Sequence, residues 1–216
     1  MSQFMKNTFY KQREDFLRTL PARDAKFSIP EDVMEKQNIP YVDDNCMAHR
    51  LDVYQPKNLS EQSLPVIINV HGGGLVIGCK EYNRYFCAQL SRLGYLVFNV
   101  EYRLVPDCTF FDQCHDVFLA MNYIQQHLPD YHGLPDRVFA AGDSGGACLL
   151  TYCAAMQNNE KVANAAQVHP SSLKIKALGL ISGMFYTHKP DKIGLFLPRY
   201  LYGKGYRHHA FAPYIN

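Results

Sequence analysis

Ser144 carries the clearest chemistry in this chain. It lies in Gly142-Asp143-Ser144-Gly145-Gly146, directly after the apolar stretch Val138-Phe139-Ala140-Ala141. Glycines two positions to either side let a strand turn sharply into a helix, with the serine held in a strained backbone state at the bend. The helix beginning there directs its positive end at charge developing on a reacting acyl group. A second cluster, His71-Gly72-Gly73-Gly74, follows Val66-Ile67-Ile68-Asn69-Val70. Bare glycine amides at a strand end approach a substrate oxygen closely, and one well-aimed donor is worth about 3 kcal/mol in acyl transfer. Ser144 as nucleophile, with the N–H groups of Gly72, Gly73 and Gly145 as an oxyanion hole, is the chemistry these types and spacings support. His71 is expected to brace the glycine loop rather than act as a base, and Asp143 to hold the bend.

Two rival readings of the same residues are weaker. A glycine-rich strand-to-helix turn also binds phosphate. Gly-Asp-Ser-Gly-Gly also surrounds the nucleophile of chymotrypsin-like proteases, but those are all-β and place their histidine and aspartate before the serine. Here the string runs into Ala147-Cys148-Leu149-Leu150, which reads as helix, and the residues upstream alternate strand with helix.

The positioning elements follow from periodicity. Residues 4–20 read as a helix with Phe4, Phe9, Phe16 and Leu20 on a partial apolar stripe, ended by Pro21, and 31–37 as a second short helix. These make residues 1–40 an N-terminal arm or cap. Residues 48–54 alternate as a half-buried strand stopped by Pro56, and 66–70 and 96–100 are short apolar strands covered on both faces. Helices are expected over 81–93, 111–128 and 146–157, and further strands over 137–141 and 177–182. Strands alternating with helices predict an α/β fold over residues 41–216, with a mostly parallel sheet and helices on both faces.

Size and composition narrow the function classes. A chain of 216 residues suits one domain that buries about 70% of its unfolded surface. Its 22 basic and 20 acidic residues leave a formal charge of +2, without the concentrated basic face that nucleic acid requires. No apolar run is long enough to span a bilayer. Seven cysteines include no CxxC pair, and Cys87, Cys148 and Cys153 sit in apolar runs as small core residues, so a reduced, cytoplasmic setting is expected.

The chain resembles the hormone-sensitive-lipase branch of the α/β-hydrolase esterases. The resemblance is carried by Leu51-Asp52-Val53-Tyr54-Gln55-Pro56, by His71–Gly74, by Glu101-Tyr102-Arg103-Leu104-Val105-Pro106-Asp107 with Asp116 after it, and by Pro135-Asp136-Arg137-Val138 leading to Gly142–Gly146. These cover roughly residues 48–183. Three positions depart from the family pattern: Gly145 where it has alanine, Asp107 where it has glutamate, and Phe111 where it has proline. The resemblance implies hydrolysis of small-molecule carboxylic esters through an acyl-enzyme, with no metal and no organic cofactor. It also implies that residues 102–107 brace the floor of the site.

In that family an acid and then a histidine follow the serine. After Ser144 the acids are Glu160 and Asp191, and the histidines His169, His188, His208 and His209. Asp191 with His208 or His209 satisfies the order, but the expected strand after 182 is missing. The sequence therefore predicts a fold lacking its last strands, with a complementary chain as one source of acid and base. A catalytically inactive small-molecule binding module and a truncated remnant remain as alternatives.

Overall fold

The computed structural model describes residues 1–58, 63–187, 189 and 192–215. Two N-terminal helices, α1 (Gln3–Leu17) and α2 (Leu20–Asp24), precede β1 (Val33–Pro40), β2 (Arg50–Pro56) and β3 (Leu64–Val70). Then come α3 (Arg84–Arg92), β4 (Leu96–Val100), α4 (Phe110–His127), β5 (Gly133–Asp143) and α5 (Ser144–Asn158). The last elements are α6 (Glu160–Ala166), β6 (Leu178–Ile181) and α7 (Lys192–Leu201).

The described strands form one sheet in the order β1-β2-β4-β3-β5-β6. β1 and β2 are antiparallel to their neighbours, and β4, β3, β5 and β6 run parallel. Alternation assigns the faces. Leu51, Val53, Val66, Ile68, Val70, Phe98 and Val100 point into the larger core, shared with Val117, Met121, Leu149 and Leu150 of α4 and α5. Tyr54, Ile67 and Val97 point the other way, onto Cys87 and Ala88 of α3. The sheet thus has helices on both faces, as the strand–helix alternation predicts. The thiols of Cys87, Cys148 and Cys153 are buried and unpaired.

The segment expected as a helix over 31–37 is instead β1, which moves the start of the sheet into what was read as the arm. β1 is an edge strand, and Glu35, Lys36, Gln37 and Asn38 give it no apolar alternation to read. Pairing with β2 supplies its order instead, across an irregularity between Lys36 and Ile39 where Asn38 takes φ 59° and its N–H donates to Asp52 Oδ1. The helices α6 and α7 were not anticipated. Pro198 lies inside α7, and a proline there argues against helix on sequence grounds. Among the described residues no strand follows Ile181, and β6 is largely exposed.

The arm is docked by α1. Arg13 donates to the carbonyls of Val76, Leu104 and Val105 and pairs with Asp107, while Phe9 packs edge-on against Tyr200 of α7. One arginine thus ties the arm to both the glycine-loop segment and the segment after β4.

Candidate active site

The site is assembled by register. Val70 lies opposite Val100 on one side and opposite Gly142 on the other. Three parallel strands therefore end level, and the next residues are Glu101, His71 and Asp143. Everything chemical in the motifs emerges along this one edge.

At the bend, Ser144 has φ 48°, the left-handed state that a serine adopts only when its surroundings impose it. It opens α5, is partly exposed, and its hydroxyl makes no hydrogen bond to a described residue. Its carbonyl accepts from Met184 N–H at 3.1 Å, tying the bend to the segment after β6. Gly145 and Gly146 are buried at the start of the helix, where the first N–H groups have no intrahelical partner.

The glycine loop touches this bend. A β-carbon on Gly145 would lie 2.9 Å from the backbone nitrogens of Gly74 and Leu75. Gly73 has φ +113°, and a β-carbon there would overlap the Ile77 carbonyl; its own carbonyl accepts from Val76 and Ile77. The Asp143 carboxylate bridges the two segments, with Oδ1 accepting from Gly72 N–H at 3.0 Å and from Asn83 Nδ2 at 2.9 Å. This corrects one expected donor. The Gly72 N–H is spent on Asp143 and has no proton left for a substrate. The amides of Gly73 and Gly74 make no hydrogen bond among the described residues and are the free donors beside Gly145.

His71 is fully buried. Its Nδ1 is 2.8 Å from the Gly72 carbonyl oxygen and its Nε2 2.7 Å from Glu101 Oε1. The Tyr102 ring stacks on it at 4.4 Å, and the Tyr102 hydroxyl donates to the His71 carbonyl at 2.8 Å. With both ring nitrogens engaged, this imidazole faces no substrate. Burial opposes its charge, yet Glu101, the Gly72 carbonyl and Asp143 together hold it above the ordinary imidazole range. Asp116 is fully buried, with Arg103 donating to both its oxygens from Nε and from its own backbone N–H to Oδ2. Residues 102–107 are thereby anchored from below.

The remaining expected triad residues lie elsewhere. The His209 ring stacks on Phe111 at 5.2 Å and its Nδ1 accepts from Phe211 N–H at 3.1 Å. His208 is exposed, ending a short 3-10 turn. Neither ring hydrogen-bonds Ser144 among the described residues, and Asp191 and His188 lie outside them. Sequence reasoning missed Glu101, Gly74 and Asn83 as parts of the site. A signal for Glu101 was present, because 66–70 and 96–100 are parallel strands of equal length, whose successors emerge level.

Residues 51–184 match the family model BD-FAE. Over 135 residues the chain is 32% identical to a probable isoprenylcysteine alpha-carbonyl methylesterase of Arabidopsis thaliana, covering 62% of this chain and 28% of that relative. It is 30% identical over 132 residues to tuliposide A-converting enzyme b1 of Tulipa gesneriana, covering 56% of this chain and 35% of that one. The chain therefore spans about a third of the length of these curated relatives. Among solved structures, esterase B of Lactobacillus rhamnosis, crystallised with a tributyrin phosphonate inhibitor, superposes with a TM-score of 0.87 at 24% identity. That match covers 95% of this chain and 67% of the other, and it shows the α/β-hydrolase fold.

Proposed function

The chain belongs to the BD-FAE family, and from that premise we propose that it serves the hydrolysis of small carboxylic esters through an acyl-enzyme on Ser144. The Ser144 oxygen attacks the ester carbonyl, and the developing oxyanion is held by the N–H groups of Gly73, Gly74 and Gly145. The alcohol leaves, and water then releases the acid. His71 and Asp143 position the donors. One observation carries this reading: the bend and the glycine loop are in contact, with Gly145 packed against the Gly74 amide. The methyl ester named for the Arabidopsis relative and the tributyrin phosphonate of the structural neighbour both belong to the chemistry proposed here.

For the proton acceptor we propose either Asp191 with His208 or His209, or groups outside these 216 residues, on a longer form of this protein or on a complementary chain. A fluorophosphonate probe separates these. Labelling of Ser144 above a Ser144→Ala control supports the nucleophile. A loss of that labelling in His208→Ala or His209→Ala assigns the base to this chain, and fast labelling and hydrolysis that appear only when a second chain is added assign it outside. The free, buried thiols fit a reducing cytoplasmic setting.

A second reading rests on the unpartnered Ser144 hydroxyl. Without a base within reach, the donors would bind a small carboxylate and turn nothing over. Saturable butyrate binding by calorimetry, with no ester hydrolysis and no probe labelling, selects that reading.

A further inference from the structure

His71 sits between two carboxylates, Glu101 and Asp143, because three parallel strands end level. Its two ring nitrogens both face acceptors. The Gly72 carbonyl has no proton to give, so Nδ1 must carry its hydrogen to make the 2.8 Å contact. The 2.7 Å contact between Nε2 and Glu101 Oε1 needs one proton, on either partner. The rest of Glu101 decides which. Its Oε1 also accepts from Tyr102 N–H at 3.2 Å, and its Oε2 accepts from Lys80 N–H at 2.9 Å. With backbone N–H groups donating to both Glu101 oxygens, the carboxylate is committed as an acceptor, and the proton of the 2.7 Å contact lies on Nε2.

We propose that His71 is a buried imidazolium cation which, by donating to the Gly72 carbonyl, sharpens the Gly73 N–H as the oxyanion donor. The Gly72–Gly73 peptide is one resonance unit, so a positive donor on its oxygen draws electron density from its nitrogen. A charge-assisted bond is about twice as strong as a neutral one, and bonds in series polarise one another. The Gly72 N–H, on the preceding peptide, goes to Asp143. The two glycine amides thus have separate duties, one fixing the loop and the next facing the reaction.

The other groups around the ring are consistent with this charge. Burial raises the Tyr102 phenol well above its ordinary range, so the ring stacked on His71 is neutral. The Lys80 ammonium is paired with Asp52 at 2.9 Å and Glu81 at 2.7 Å and is not an uncompensated cation beside the imidazole. Asp143 adds its field from the β5 side. The functional half of the proposal rests on Ser144 as nucleophile, whereas the charge on His71 does not.

The test is nitrogen NMR of the protein labelled at histidine, with His71 assigned by its loss in His71→Asn. At pH 8, well above the ordinary imidazole pKa of about 6.5, both His71 ring nitrogens should carry protons. In Glu101→Gln only Nδ1 should. A neutral ring in the unsubstituted protein at pH 8 overturns the proposal, and if His71→Asn does not fold, cross-peaks to the stacked Tyr102 ring assign His71 in the unsubstituted protein instead. The second arm is the rate of Ser144 phosphonate labelling, expected to fall about tenfold in folded Glu101→Gln, a part of the 10²–10³ that a whole donor is worth. An unchanged rate overturns the polarisation. No labelling in the unsubstituted protein would instead count against Ser144 as nucleophile and leave the NMR result intact.

Discussion

Gly145 lies against Gly74 so closely that a β-carbon on Gly145 would stand 2.9 Å from the Gly74 amide nitrogen and 3.1 Å from its α-carbon. Both contacts are to backbone, which cannot swing aside as a flexible side chain would. The residue after Ser144 is glycine, and the backbone of the glycine loop occupies the space that a side chain there would need. Gly145→Ala should therefore displace the glycine loop and cost about 1–3 kcal/mol, the range for overpacking. Urea denaturation measures it. Gly74→Ala is the comparison, since its β-carbon meets nothing within 4 Å and the cost there comes from φ +60°, about 1–2 kcal/mol. Equal stability of Gly145→Ala and the parent chain would mean that the loop stands further off.

Strain at the bend gives a second expectation. Ser144 holds φ 48°, and a non-glycine residue in such a state costs on the order of 1–3 kcal/mol. Ser144→Gly should relieve that cost, partly offset by the greater freedom of glycine in the unfolded chain, for a net gain of about 1 kcal/mol. Ser144→Ala keeps the strain and should gain nothing. Both should lose phosphonate labelling, so thermal melts and labelling together separate backbone strain from chemistry.

The anchor beneath residues 102–107 is open to the same treatment. The Asp116 side chain is fully buried and Arg103 donates to both its oxygens, with Nη2 at 2.7 Å from Oδ1. Arg103→Ala strips the guanidinium from a buried carboxylate, leaving it only His49 Nε2 at 3.2 Å and the backbone N–H of residue 103, and should cost about 3 kcal/mol, the low end for a broken buried pair, because one flank of Arg103 reaches solvent. Arg103→Lys should recover little, since an ammonium cannot reproduce the fork. Full recovery by lysine would show that charge alone matters at this position.

Stability should fall on the alkaline side. His71 is raised in the folded protein, where burial opposes the charge but the Glu101 carboxylate and its hydrogen bond, the Gly72 carbonyl and Asp143 outweigh it. A cation favoured by folding contributes fully below the unfolded pKa of about 6.5 and is lost as pH rises through the folded value. Urea midpoints should drop between neutral and alkaline pH, and the drop should shrink in Glu101→Gln. Glu35 acts in the opposite window. Burial pushes its carboxyl up, but the hydrogen bond and charge of Arg84 prevail and lower it. Its contribution is present above the unfolded carboxyl pKa and is lost as pH falls through the depressed folded value.

Much of this protein was legible before any coordinates. The bend at Ser144, the glycine loop, the strands read at 48–54, 66–70, 96–100, 137–141 and 177–182, and the helices read at 81–93, 111–128 and 146–157 are local patterns that overlap the observed elements. Apolar alternation and glycine placement encode them within a few residues of chain. β1 was not legible, because its order comes from pairing with β2 rather than from its own apolar residues. α7 was hidden by Pro198.

Residue types alone determined that a serine would sit on a strand-to-helix bend beside a run of glycine amides. The tertiary structure alone decided which amides are free. Asp143 takes the Gly72 proton, leaving Gly73 and Gly74, and the level ends of β4, β3 and β5 set Glu101 and Asp143 on either side of His71. The reason is that a hydrogen bond is satisfied once. Which donor spends its proton on the scaffold depends on contacts between residues some 30 and 70 positions apart, and no local pattern records that choice.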